Sequence, residues 1–199
     1  IVDRKLNIQM PSVLEAIIWL FIFAAEILGE INEYYLVFPY WDIMLHTING
    51  FIMAAIGFAM IDILNNSPRV AINMSPLFVA VTSFCFSMTI GVIWEFFERA
   101  MDAFFMFDMQ KDTITDIIST VYLHPDGRNV PVVVNDITQT VISGVMNGTA
   151  QDIVIPGGYL DIGLNDTMQD LLVNCIGAGV FSVIGGFFIK LRGRGKTAG

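Results

Sequence analysis

Charge is what this sequence has least of: only 15% of its 199 residues are Asp, Glu, Lys or Arg, against 55% hydrophobic residues and a mean hydropathy of +0.66. A soluble domain of this length keeps about 25% charged residues on its surface. The scarcity therefore excludes an ordinary soluble globular domain and points to a membrane protein. Charge is missing altogether from Ile43 to Ile61, from Ser75 to Trp94 and from Leu171 to Ile189. Each run has about the 20 residues that cross a ~30 Å hydrocarbon core at ~1.5 Å rise per residue. Cysteine is nearly absent too. Cys85 and Cys175 both lie inside apolar runs, where a thiol behaves as a small hydrophobe, so no disulfide framework is expected and the redox compartment stays open. There is no Ser/His/Asp order and no Cys nucleophile signature to support covalent catalysis. No signal-peptide pattern precedes the first apolar run, and no repeat is long enough for a solenoid, although Asp112-Thr113-x-x-Asp116 and Asp166-Thr167-x-x-Asp170 are similar pieces.

What is present predicts four membrane spans. The fourth candidate runs from Pro11 to Ile31, uncharged from Ala16 to Ala25 but interrupted or flanked by Glu15, Glu26 and Glu30. Residue 1 is Ile rather than Met, so the gene product is expected to continue upstream, with room for further helices. Seven of the ten basic residues (Arg4, Lys5, Arg69, Lys190, Arg192, Arg194 and Lys196) fall before the first span, between the second and third, or after the fourth. In a four-span arrangement these places share one side, which the positive-inside rule makes cytoplasmic. The Asn32 to Tyr40 connection and the long 105–165 segment are then outside. Trp41, Trp94, Tyr34, Tyr35 and Tyr40 would sit near the outer interface.

The expected fold is an all-α transmembrane bundle of four helices with a small β-containing extracytoplasmic insertion. Residues 1–104 carry the first three helices, 105–165 the insertion, and 166–199 the fourth helix and a basic cytoplasmic tail. In the insertion Gly, Asn, Asp and Thr replace the apolar runs, and the segment is too long for a simple connection. Thr120 to Val134 reads as a hairpin around His124-Pro125-Asp126-Gly127, whose Pro and Gly suit a turn. His124 is accordingly read as a solvated loop residue. Ile153 to Ile162 suggests another turn between short strands at Pro156-Gly157-Gly158, and Ile137 to Met146 fits strand or helix. Asn73, Asn147 and Asn165 begin three matches to the glycosylation sequon, a pattern short enough to arise by chance.

Carboxylates at bilayer depth cost a few kcal/mol each, so they are usually paired, turned inward and functional. Asp42 and His46 are spaced i, i+4; Glu95, Glu98 and Asp102 are spaced i, i+3, i+7; Asp166, Asp170 and Asn174 are spaced i, i+4, i+8. Each set is one stripe on one helical face. The topology puts all three at the outer level, with Glu26 and Glu30 beside them, and Gly50, Gly57, Gly91, Gly177 and Gly179 would let the helices approach. A plainer reading is open for Asp42 and Asp166, since Asp at a helix start caps it and complements its dipole. Burial makes that reading weaker for His46 and Glu95, each about one turn further in.

These residues carry a resemblance. Trp41-Asp42-Ile-Met-Leu-His46-Thr-Ile-Asn-Gly50, Ser75-Pro76-Leu-Phe-Val-Ala, Gly91-Val-Ile-Trp-Glu95-Phe-Phe-Glu98, and Asp166-Thr167-Met-Gln-Asp170 leading to Asn174 and Gly177-Ala178 resemble the YjdF-like family of bacterial inner-membrane proteins of unknown function. The order is also similar to that of VanZ-like proteins, associated with teicoplanin resistance, with an Asp-x-x-x-His helix, a Glu-x-x-Gln/Glu helix and an Asp-x-x-x-Asn-x-x-Gly helix. Asp42/His46, Glu95/Glu98 and Asp170/Asn174/Gly177 match that pattern. The long 105–165 segment departs from the compact members of both groups. The resemblance implies a bacterial inner-membrane location and supplies no established reaction.

Three functions follow from the stripes. The first is an outward-facing site acting on a lipid-linked or amphiphilic envelope substrate, with His46, Glu95, Asp170 and Asn174 as catalytic or orienting groups. Asp42, His46, Glu95, Glu98, Asp166 and Asp170 are its candidate ligands for Mg²⁺, Mn²⁺ or Zn²⁺, since oxygen donors with one imidazole suit such ions. The second is proton or cation transport along the same acids, for which the inner halves of the spans offer few polar groups unless the chain forms a homo-oligomer. The third is structural, with the stripes as an interhelical network and the insertion binding a partner. Whether the protein is an enzyme stays open between them. The lipid bilayer is a partner in all three, and no nucleic acid is expected.

Overall fold

A computed structural model describes residues 12–65 and 74–196. Arg4, Lys5, Arg69 and Asn73 lie outside the described residues, as do the side chains of Arg192, Arg194 and Lys196. The chain divides into two compact units, Ile1–Val92 with Asp170–Gly199, and Ile93–Gln169.

In the first unit, α1 spans Ser12–Ile22 and passes into a π-helical stretch over Phe23–Ile31. The Asn32 amide closes on the Ile27 carbonyl five residues back, at 3.0 Å. Gly29 is buried there because the Tyr35 ring occupies the space a Cβ would need. α2 is the single turn Tyr34–Val37, α3 spans Trp41–Asn65, α4 begins at Pro76 and ends at Phe105, and α5 runs Leu164–Lys196. Both unit boundaries fall within helices, α4 at Val92/Ile93 and α5 at Gln169/Asp170.

Three helices among the described residues are long and apolar enough to cross a membrane, Trp41–Asn65, Pro76–Phe105 and Leu164–Leu191. The expected first span, Pro11 to Ile31, is helical from Ser12 to Ile31, with 11 residues of α-helix passing into 9 of π-helix, and is not among these three. The expected β-containing insertion is present, with six strands between α4 and α5, so the all-α description holds for the helical part alone.

The first unit is packed inside out relative to a soluble protein. Most of its buried positions are small or polar, among them Gly50, Ala54 and Gly57 on α3, Ser83, Ser87 and Gly91 on α4, and Asn174, Gly177, Ala178 and Ser182 on α5, with Leu45, Ile61 and Val79 the larger apolar residues buried beside them. Phe51, Met60, Phe78, Val81, Leu172, Ile176 and Phe187 are exposed. Large apolar side chains outward and small ones between backbones is the arrangement that a lipid solvent selects. At Gly177 a Cβ would meet the Thr47 carbonyl oxygen, and at Gly50 the Asn174 carbonyl oxygen, so α3 and α5 touch backbone to backbone. Ser87 Oγ donates to the Gly50 carbonyl at 2.8 Å and ties α4 to α3. Gly57 faces the Phe86 ring, whereas Gly179, expected at a close approach, faces open space.

The second unit holds three antiparallel pairs, β1 (Thr113–Thr115) with β6 (Tyr159–Asp161), β2 (Ile118–Thr120) with β3 (Val132–Val134), and β4 (Gln139–Met146) with β5 (Thr149–Pro156). The hairpin predicted at Thr120 to Val134 exists, with Thr120 paired to Val132, but the Val121-Tyr122-Leu123 piece belongs to its loop rather than to a strand. Ile137 to Met146 resolves as strand. Ile153 to Ile162 does contain a turn between strands, yet β5 and β6 pair with different partners. The longest hairpin turns at Asn147-Gly148, both at positive φ (52° and 79°), the two-residue geometry that Asn-Gly favours.

Candidate functional site

Asp42 enters in the first turn of α3 and His46 follows one turn later on the same face, while Asp170 comes from α5. His46 Nε2 lies 3.6 Å from Asp42 Oδ1 and 3.7 Å from Asp170 Oδ2. Asp170 is 1% exposed and His46 8%. These separations exceed hydrogen-bond length. They lie at or just beyond the long end of the separations of donor atoms sharing one cation, which at metal bonds of 2.0–2.2 Å stand roughly 2.8–3.6 Å apart for octahedral and tetrahedral angles. One donor atom from each of the three residues falls within 4.8 Å of the others, the size of a metal-binding group. Two carboxylates so placed, one buried and one part-exposed, are offset by an imidazolium, by a metal or by a proton on one of them.

One turn beyond Asp170 on α5, Asn174 is fully enclosed at 1% exposure. Its Nδ2 donates to Met88 Sδ at 3.5 Å, and its Oδ1 accepts from Asn49 Nδ2 at 3.5 Å. Gly91 leaves it room: a Cβ there would stand 2.8 Å from Asn174 Nδ2. The amide is thereby fixed between three helices. Sequence reasoning singled out Asn174 but missed Asn49 and Met88. Asn49 had a signal, since it is spaced i, i+3 from His46 on one helical face. Met88 had none, because Met in an apolar run reads as packing.

In the second unit Glu95 and Glu98 are 4% and 7% exposed, with carboxylate oxygens within 4.8 Å of one another. The Trp94 indole donates to Glu98 Oε1 at 2.8 Å. Asp102 accepts the amides of Met109 at 2.7 Å and Gln110 at 3.0 Å, and Asp166 accepts the Lys111 amide at 2.7 Å. Asp161 accepts the Asn165 amide at 2.8 Å, and Gln110 Nε2 reaches Thr167 Oγ1 at 2.5 Å. These carboxylates hold the backbone as it leaves α4 and enters α5. Asp166 thus has the structural employment that its place at a helix start allows. Glu26 and Glu30 are exposed on the π-helical stretch. His124 lies half-buried in the β2–β3 loop, with its Nδ1 accepting the Asp126 amide at 3.1 Å. Cys85 and Cys175 are free thiols.

Outside the membrane-capable runs one carboxyl is perturbed. Asp112 is raised above its ordinary value, first by partial burial and then by Asp108, Asp161 and Asp102, with Lys111 opposing.

Three apolar helices with exposed aliphatic faces and an interior of small and polar side chains define a membrane protein. The chain belongs to the predicted membrane protein family DUF2238, whose family model matches residues 1–122. The match takes in Asp42, His46, Glu95 and Glu98 and stops before α5, which carries Asp170 and Asn174. No curated protein and no solved structure matches the chain.

Proposed function

We propose that this is a multi-pass protein of the bacterial inner membrane whose Asp42, His46 and Asp170 bind a divalent cation at an outward-facing site for a lipid-linked or amphiphilic envelope substrate. The observation that carries the reading is the placement of His46 Nε2 at 3.6 and 3.7 Å from two carboxylates supplied by different helices. An imidazole with carboxylate oxygens suits Zn²⁺ or Mn²⁺, and with water also Mg²⁺. Bound there, the ion supplies a Lewis acid. Asn174 orients substrate, held by Asn49 and Met88, and Glu95 and Glu98 are a pair of buried acids of the second unit assigned proton-donor or proton-acceptor roles on their burial. The likeness of the same residues to YjdF-like and VanZ-like proteins supports an envelope role, and the distribution of basic residues supports an outward site.

Transport gains nothing from Ser83 and Ser87. Ser83 Oγ bonds the Val79 carbonyl at 2.7 Å and Ser87 Oγ the Gly50 carbonyl, so neither adds a step to a polar path. The deciding experiment is elemental analysis of protein purified in detergent. About one metal per chain in wild type, lost in His46→Ala and Asp170→Asn while helicity persists, is the expected result. A metal-free wild type that takes up no Mg²⁺, Mn²⁺ or Zn²⁺ on dialysis would overturn the reading.

A further inference from the structure

A second feature of the first unit lies well away from the Asp/His cluster. The first turns of α4 and the Gly179–Lys190 stretch of α5 flank an open crevice of about 410 Å³ lined by Pro76, Ala80, Phe84, Val183 and Phe187, with Lys190 at one end. By helical rise its middle, at Ser182, is about 18 Å along α5 from Asp170, and Lys190 is about 12 Å further. Its walls are apolar apart from the Ser182 hydroxyl and the Lys190 ammonium. The volume is within the range of small-molecule sites and suits one hydrocarbon chain.

The end of the crevice states the charge of the occupant. Lys190 is exposed and makes no ion pair among the described residues. It opens the sequence Lys190-Leu-Arg192-Gly-Arg194-Gly-Lys196, four cations in seven residues with no acid. A basic cluster directly after an apolar helix attracts anionic lipid headgroups, at about 1 kcal/mol per Lys or Arg near the surface. A second copy docking on this crevice in the same membrane orientation would bring two such tails to one level, and like charges oppose that. We propose that the crevice holds one acyl chain of an anionic glycerophospholipid whose phosphate is bound by Lys190.

The test is native mass spectrometry of the full chain in detergent titrated with phosphatidylglycerol or phosphatidylcholine. One phosphatidylglycerol per chain is expected to survive desolvation, with phosphatidylcholine held several-fold more weakly. Lys190→Gln removes one headgroup cation and should weaken phosphatidylglycerol about fivefold, the ratio equivalent to ~1 kcal/mol. Val183→Trp, at a side chain 58% exposed on the crevice wall, should fill the space and remove the retained lipid while leaving the melting temperature unchanged. Equal retention of the two lipids, or no response to either substitution, would overturn the proposal. So would loss only on replacing Arg192 and Arg194, which would mean headgroup adsorption on the tail. A dimer in the spectrum that Val183→Trp dissociates would overturn it in favour of a second copy.

Discussion

Aspartate does opposite work in the two units. In the first, Asp170 is 1% exposed and stands 3.7 Å from His46, among glycines and serines that bring helix backbones together. In the second, Asp102, Asp161 and Asp166 accept backbone amides and steer the chain out of one helix and into another. A carboxylate facing backbone N–H groups has its charge answered by local donors and contributes stability. A carboxylate beside a second carboxylate and an imidazole is in a setting that a cation or a proton can complete. The comparison sets a candidate site in the first unit against backbone anchoring by Asp102, Asp161 and Asp166 in the second.

The largest expected effect would break that comparison outright. If Asp42, His46 and Asp170 hold a metal, thermal stability rises with the logarithm of its concentration, by about 2.7 kcal/mol at a hundredfold excess over Kd. His46→Ala should abolish the dependence, whereas Asp102→Asn and Asp166→Asn in the second unit should leave it intact. Equal sensitivity of all three variants in a metal-titrated melt would mean that the two kinds of acid do not differ.

Next in size is the packing that brings the cluster together. Gly177→Val places carbon against the Thr47 carbonyl and should cost roughly 1–3 kcal/mol as overpacking, while Gly179→Val, which faces open space, should be nearly neutral. Denaturation of the two variants in mixed micelles compares them directly, and an equal loss would show that helix propensity rather than close approach governs.

In the second unit, Asp102→Ala strips an acceptor from the Met109 and Gln110 amides and should cost about 1–3 kcal/mol if they stay buried without a partner. Faster hydrogen exchange confined to residues 106–112, with metal dependence untouched, is the expected pattern. Protection unchanged at those amides would remove the architectural role.

The smallest effect concerns Asp112. Its raised pKa means that the folded state binds the proton more tightly than the unfolded chain. The stability this contributes is full below the ordinary value of 3.8 and declines as pH rises through the folded value. Asp112→Asn should therefore gain on wild type as pH rises from 3 toward 7 in parallel melts, and a gain that ignores pH would exclude the linkage.

The sequence by itself determined the three apolar helices, because absence of charge over about 20 residues has few structural outcomes. It also determined that Asp42 and His46 share a face and that Asp170 and Asn174 do, because spacing within one helix fixes direction. The Asn147-Gly148 turn was legible as well, though a sequon was read there, since Asn-Gly is one of the few dipeptides that readily take two successive positive φ values. Only the tertiary structure decided that Asp170 meets His46, that Asn49 and Met88 hold Asn174, and that Gly179 contacts nothing while Gly177 contacts a backbone. It alone broke the Ser12 to Ile31 stretch into α- and π-helical parts, and separated the acids that tie down backbone from those that face one another. The reason is geometric: periodicity specifies which side of a helix a residue occupies, but which helix faces that side, and at what distance, is set by the packing of backbones far apart in the chain.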